Sequence, residues 1–128
     1  MADMDKELFY RMSIRLYGKG KAFGPGIADL LHKVDEFGSL QKAASSMNMA
    51  YSKAWKMIRE MEEQWGFALT EREAGGRDGG GSRLTARAKI LLRQYDGFID
   101  AAEEEMTKLF ESHFFVEWLD KLSMLEEE

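Results

Sequence analysis

A chain of 128 residues, 45% hydrophobic and 32% charged, suffices for one domain with its own core and is too short for a catalytic domain joined to an accessory one. The absence of cysteine excludes disulfides, thiol catalysis and cysteine-ligated zinc, and suits a cytoplasmic setting. A net charge of -5 argues against a polyanionic partner unless the charge is segregated.

No apolar run approaches the roughly 20 residues of a membrane span. The opening MADMDKELFY lacks the basic-then-apolar pattern of a secretory signal, so a soluble chain with no membrane partner is expected. Residues 10–17, YRMSIRLY, alternate Met12, Ile14 and Leu16 with Arg11, Ser13 and Arg15, the period of a half-buried strand. KGKAFGPG breaks that pattern. Pro25 suits a first helical turn, where its missing N–H is not needed, and Ile27, Leu30, Leu31, Val34 and Phe37 then form one apolar stripe ending at Gly38.

Ser39 is a natural N-cap for a short second helix with Leu40, Ala43, Ala44 and Met47 inward. Asn48 tolerates the left-handed conformation that leaves a helix sharply. A third helix is expected from Ala50 to Trp65, with Ala54, Met57, Ile58, Met61 and Trp65 inward, Ser52, Lys53, Lys56, Arg59 and Glu63 outward, and Gly66 as its stop. Residues 67–73 and 82–84 are short enough for hairpin strands, and the tip between them holds five glycines in the seven positions 75–81. Beyond Thr85, a plausible cap, Leu91, Tyr95, Phe98, Ala102, Met106 and Leu109 repeat at near-heptad spacing along a long helix reaching Phe110. HFFVEWLDKLSMLEEE adds a last helical segment rich in aromatic residues.

Charge follows this order. Residues 38–59 carry Lys42, Lys53, Lys56 and Arg59 and no acid; residues 74–95 carry Arg77, Arg83, Arg87, Lys89 and Arg93 against Asp78 alone. Residues 96–128 hold eleven acids against Lys108 and Lys121. One face can therefore meet phosphate although the molecule is acidic.

Strand, helix, helix, tight turn, helix and hairpin is the order of a winged helix-turn-helix: mainly α with a small β-hairpin wing, followed by a long C-terminal helix. In such a unit the helix after the turn enters the DNA major groove with its early residues against base edges. Tyr51, Ser52, Lys53 and Lys56 occupy those turns, and their hydroxyls and ammonium groups suit bases or phosphates. The alternative is a solvated helix face, which more often mixes charge signs. The glycine-rich stretch has no Gly-Lys-Ser/Thr ending and follows no buried strand, which excludes nucleotide loops. As a wing tip, its amides and Arg77 approach the DNA backbone or minor groove.

GSLQKAASSMNMAYSKAW followed by AGGRDGGGSRLT resembles the N-terminal DNA-binding domain of ModE-type molybdate-dependent regulators, whose helix-turn-helix is similar to that of LysR-type regulators. The shared features are Gly38 and Ser39, the pair Ala43 and Ala44, and Tyr51 with Lys53, Ala54 and Trp55. The glycine wing with Arg77 and the pair Leu84 and Thr85 complete them, over roughly residues 10–95. The resemblance implies a transcription regulator binding double-stranded DNA through Ser39, Lys42, Tyr51, Ser52, Lys53, Lys56, Arg77 and Arg83. Three positions depart. Ala50 replaces a capping serine, leaving Asn48 or water to cap the third helix; Asp78 adds negative charge at the wing tip; Ala88 replaces a glycine. No C-terminal molybdate module is expected after Phe110, so no molybdate site and no cofactor are carried over.

Residues 1–84 are expected to form the DNA-binding part and 85–128 a helical dimerisation segment of the same compact unit. The stripe Leu91, Tyr95, Phe98, Ala102, Met106 and Leu109 is the seam expected for a homodimer reading two half-sites, with packing on the body of the domain as its alternative. Trp55 either packs beside Tyr51 or meets the DNA backbone. His32 and His113 lack ligand spacing, Glu103–Glu105 read as a solvated face, and no catalytic arrangement is legible, so the chain is not expected to be an enzyme or to hold a metal. Two rival functions remain: a protein-interaction module that has lost DNA binding, and a sensor with a small ligand between dimer helices.

Overall fold

The computed structural model describes residues 7–73 and 81–125. The chain divides into two units, Ser13–Asp96 and Met1–Met12 with Gly97–Glu128. Among the described residues, every buried apolar side chain belongs to the first.

That unit opens with an antiparallel pair, β1 (Leu16–Tyr17) and β2 (Ala22–Phe23), in the register Leu16↔Phe23 and Tyr17↔Ala22. The strand expected over residues 10–17 is thus paired only at its end. Its partner is two residues long because Gly24 and Pro25 open the next helix. The alternation persists without pairing: Ile14 and Leu16 are half-buried between exposed Ser13, Arg15 and Tyr17.

Helix α1 (Pro25–Phe37) starts with the proline in its first turn and buries Ile27, Ala28, Leu30, Leu31 and Val34. It ends at Gly38, whose φ of 66° is the left-handed stop that glycine supplies cheaply, and whose N–H bonds Val34 O at 2.8 Å. Helix α2 (Leu40–Ser46) packs on α1 through Leu40, Ala43 and Ala44, and the latter two methyls let the helix axes come close. Helix α3 (Tyr51–Trp65) buries Ala54, Ile58 and Met61 and stops at Gly66, φ 81°.

β3 (Thr70–Arg72) and β4 (Ser82–Leu84) form the second antiparallel pair, register Thr70↔Leu84, Glu71↔Arg83 and Arg72↔Ser82. Thr85 then caps α4 (Ala86–His113): its Oγ1 accepts the N–H of Ala88 at 3.1 Å and donates to Ala68 O at 2.7 Å. The cap therefore also ties the hairpin base to the start of the helix. α4 runs three residues past Phe110.

Phe23, fully buried, is the centre of the core, with Trp65 at 5.7 Å and Tyr95 edge-on at 5.1 Å between ring centroids. The Tyr95 hydroxyl donates to Ile14 O at 2.7 Å, so β1's lead-in is held by α4 although it pairs with no strand. Burial raises the Tyr95 pKa above the ordinary tyrosine value.

The second unit contains the remainder of α4 and α5 (Trp118–Ser123). Tyr10 stacks obliquely on Phe110 at 5.0 Å, and the aromatic run continues through Phe114 to Trp118, which meets Phe114 edge-on at 5.0 Å. Among the described residues no helix is long and apolar enough to cross a membrane.

Candidate nucleic-acid interface

The turn between α2 and α3 is built from backbone bonds on one small residue. Ala44, 1% exposed, accepts the N–H of Met47 at 3.0 Å and of Met49 at 2.9 Å, while Asn48 bonds Ser45 O at 3.0 Å. Asn48 takes φ 54°, the one left-handed non-glycine residue among those described. Its side chain does not cap α3. Ala50 is the N-cap residue, extended at φ -63° and ψ 142°, and no side chain accepts the first-turn amides. The Lys53 and Ala54 N–H groups instead both donate to Ala50 O at 3.1 Å, at the positive end of a 15-residue helix.

Tyr51, Ser52, Lys53 and Lys56 all lie exposed on α3, opposite buried Ala54, Ile58 and Met61. The structure therefore brings four of the expected contact residues onto one helix. Ser39 is already engaged: its Oγ accepts the N–H of Lys42 at 3.1 Å as the cap of α2, and the Lys42 side chain is exposed. Arg83 is engaged too, its Nε 3.0 Å from Glu71 Oε1 across the β3–β4 ladder. Arg77 and Asp78 lie outside the described residues. Trp55 is 49% exposed, and the Arg59 guanidinium covers its ring at 5.1 Å from the centroid.

Two carboxylates that the sequence pattern did not single out organise this surface. Glu62 Oε2 accepts the N–H of Leu69 at 2.7 Å and of Thr70 at 3.5 Å, and Oε1 lies 3.8 Å from Arg59, so α3 carries the base of the hairpin. Glu60 pairs with Lys21 and lies 3.9 Å from Lys56. The Lys21 hydrogen bond holds its pKa below the ordinary carboxylate value, against a smaller desolvation effect, with the charges of Lys21 and Lys56 adding to the lowering. Their cross-element partners, Lys21 for Glu60 and the Leu69 and Thr70 amides for Glu62, are not legible from spacing, whereas Lys56 and Arg59 stand at i,i+4 and i,i+3 on α3 itself. A cleft of 180 Å³ separates α3 from the hairpin and is lined by Tyr51, Trp55, Arg59, Thr70 and Arg72 among others.

Along α4 the expected seam divides. Tyr95, 4% exposed, belongs to the core with Ala88 and Leu92; Leu91 and Ala102 are half-buried; Phe98, Met106 and Leu109 are exposed. His32 Nε2 sits 2.8 Å from Asp96 Oδ2, and His113 Nδ1 sits 2.9 Å from Leu109 O. Among the described residues no group of three or more His, Asp or Glu is placed to hold a metal ion.

The family described as bacterial regulatory helix-turn-helix protein, lysR family, matches residues 28–89, the span from α1 to the start of α4. The transcriptional regulator ModE of Haemophilus influenzae is 37% identical over 67 residues, 52% of this chain and 26% of that protein. The DNA-binding transcriptional dual regulator ModE of Escherichia coli K12 is 35% identical over 72 residues, 56% of this chain and 28% of that one. The chain thus spans about a quarter of the length of these relatives. Among solved structures, the DNA complex of the CbnR DNA-binding domain superposes with a TM-score of 0.55 at 18% identity, over 69% of this chain and 95% of that one. The BenM DNA-binding domain with catB site 1 DNA gives 0.51 at 24% identity, over 68% and 93%. Both share the winged-helix fold.

Proposed function

We propose that the protein, whose residues 28–89 match the family described as bacterial regulatory helix-turn-helix protein, lysR family, is a transcription regulator, not an enzyme, that reads double-stranded DNA with α3 in the major groove. One observation carries the reading. The first two turns of α3 present Tyr51, Ser52, Lys53 and Lys56 to solvent with no acid among residues 38–59 and no side chain capping the helix. Lysines and hydroxyls there meet base edges or phosphates, and the positive end of the helix favours a phosphate oxygen.

Lys42 on α2, Arg83 on β4 and Arg77 of the glycine-rich stretch supply backbone contacts, with Arg83 exchanging Glu71 for phosphate. Ser39 contributes by holding the α2 terminus in place. Residues 85–128 serve dimerisation: Phe98, Met106 and Leu109 are the exposed apolar positions of the α4 stripe, flanked by half-buried Leu91 and Ala102, while Tyr95 stays in the core. Two copies then address two half-sites about one helical turn apart, in the cytoplasm, where the DNA is. Nothing in this reading requires molybdate.

A polarisation titration on duplex DNA at low and moderate salt tests it. Binding should weaken steeply with salt, with a slope of about -0.9 per phosphate neutralised. Lys53→Glu with Lys56→Glu should abolish binding and leave the fold intact. Salt-dependent affinity unchanged in that double variant overturns the assignment.

A further inference from the structure

The GKGK turn between β1 and β2 is absorbed neither by the helix-turn-helix nor by the wing, yet it lies against α3. A Cβ on Gly18 would stand 3.1 Å from Trp65 Nε1, and one on Gly20 would stand 3.3 Å from the Gln64 amide, so both glycines allow close approach to the last turn of the helix. The two lysines of the turn, Lys19 and Lys21, remain exposed. Lys21 reaches Glu60 Oε2, while the other oxygen of the same carboxylate lies 3.9 Å from Lys56. One carboxylate is therefore straddled by two ammonium groups, one on the hairpin and one on the proposed recognition face. Their side chains are 66% and 74% exposed.

The flanks of α3 also differ. Glu62 and Arg59 face the β3–β4 hairpin, whereas Met57, Glu60 and Met61 line a cleft shared with Lys21, Ala22 and the start of α1. The β1–β2 turn thus borders α3 on the side away from the wing, and its Lys21 meets Lys56 of α3 at the shared Glu60 carboxylate.

We infer that the β1–β2 turn is a second backbone-binding flank, in which Lys19 and Lys21 meet DNA phosphates beside the groove that α3 enters. Glu60 is a positioning residue: it holds Lys21 and Lys56 at the edge of the helix until phosphate competes for them. The inference rests on the DNA-binding reading above. A carboxylate placed between two phosphate-seeking lysines opposes binding of arbitrary duplex, so removing the lysines and removing the carboxylate must act in opposite directions.

The test uses the full chain and a short random-sequence duplex, with affinity followed by polarisation from about 50 to 200 mM salt. Lys19→Gln with Lys21→Gln should weaken binding and flatten the salt slope by about 0.9 for each phosphate no longer neutralised. Glu60→Gln should tighten binding and leave the slope at least as steep. If the bridge only stabilised the fold, the lysine and glutamate variants would both lower the unfolding temperature and leave DNA affinity unchanged. That result, with wild-type protein still bound in a salt-dependent way, rejects the inference alone; a wild-type chain that does not bind duplex rejects the DNA-binding reading together with it.

Discussion

The carbonyl of Gly38, which ends α1, accepts the backbone N–H of Ser82 at 2.9 Å, so the second wing strand hangs from the C-terminus of the first helix. The approach is tight: a Cβ at Gly81 would run into that same carbonyl oxygen, a backbone atom that cannot swing aside. Gly81→Ala should therefore destabilise the domain by about 1–3 kcal/mol, as overpacking does. Gly38→Ala meets nothing within 4 Å and should lose only the left-handed preference, about 1–2 kcal/mol. Thermal unfolding compares them. A Gly81→Ala protein as stable as wild type would mean that the wing base docks elsewhere.

Ser39 has two candidate roles that can be separated. Ser39→Ala removes the cap on α2 and should cost about 1 kcal/mol. Ser39→Asp restores the cap and adds a negative charge. A stable Ser39→Asp protein with weakened duplex binding places this residue at the DNA surface; unchanged binding confines it to capping.

Ala50 offers a gain. Its extended backbone already has the geometry of an N-cap residue, with no acceptor to use it. Ala50→Ser should stabilise the domain by about 0.5–2 kcal/mol, read as a higher unfolding temperature. No increase would show that the new hydroxyl does not reach the amides of the first turn.

Tyr95 gives a pH signature. Its folded pKa lies above the unfolded value of 10.0, so the folded state holds the phenolic proton more tightly. That stability is fully present below pH 10.0 and is lost as pH rises through the folded pKa. Tyr95→Phe should remove this alkaline decline and cost about 1 kcal/mol at neutral pH, because the bond to Ile14 O is gone. Alkaline unfolding curves that coincide for the two proteins would contradict this.

The punctuation of the fold was legible because each mark is one residue's own chemistry. Pro25, Gly38, Ser39, Asn48, Gly66 and Thr85 start, stop or cap elements where the sequence places them. Strand length was less legible, since pairing over residues 10–17 depends on a partner that ends at Phe23. The exposed lysine face of α3 followed from helical periodicity. What engages Arg83 and Lys21 did not, for Glu71 and Glu60 reach them only once separate elements have packed. Tyr95 shows the same limit: a heptad pattern marks an apolar stripe but does not say which of its members the domain core claims.

The guanidinium of Arg59 over the half-exposed ring of Trp55 gives the proposed reading helix an intrinsic optical reporter. Of the other two tryptophans, Trp65 packs beside Phe23 and Trp118 meets Phe114. In a Trp65→Phe, Trp118→Phe background, emission comes from α3 alone, one turn beyond Tyr51. Added duplex that draws Arg59 toward phosphate uncovers the indole and changes its emission at the moment of binding, without any attached dye. A signal that stays constant while polarisation records the complex would place Trp55 and Arg59 off the bound DNA.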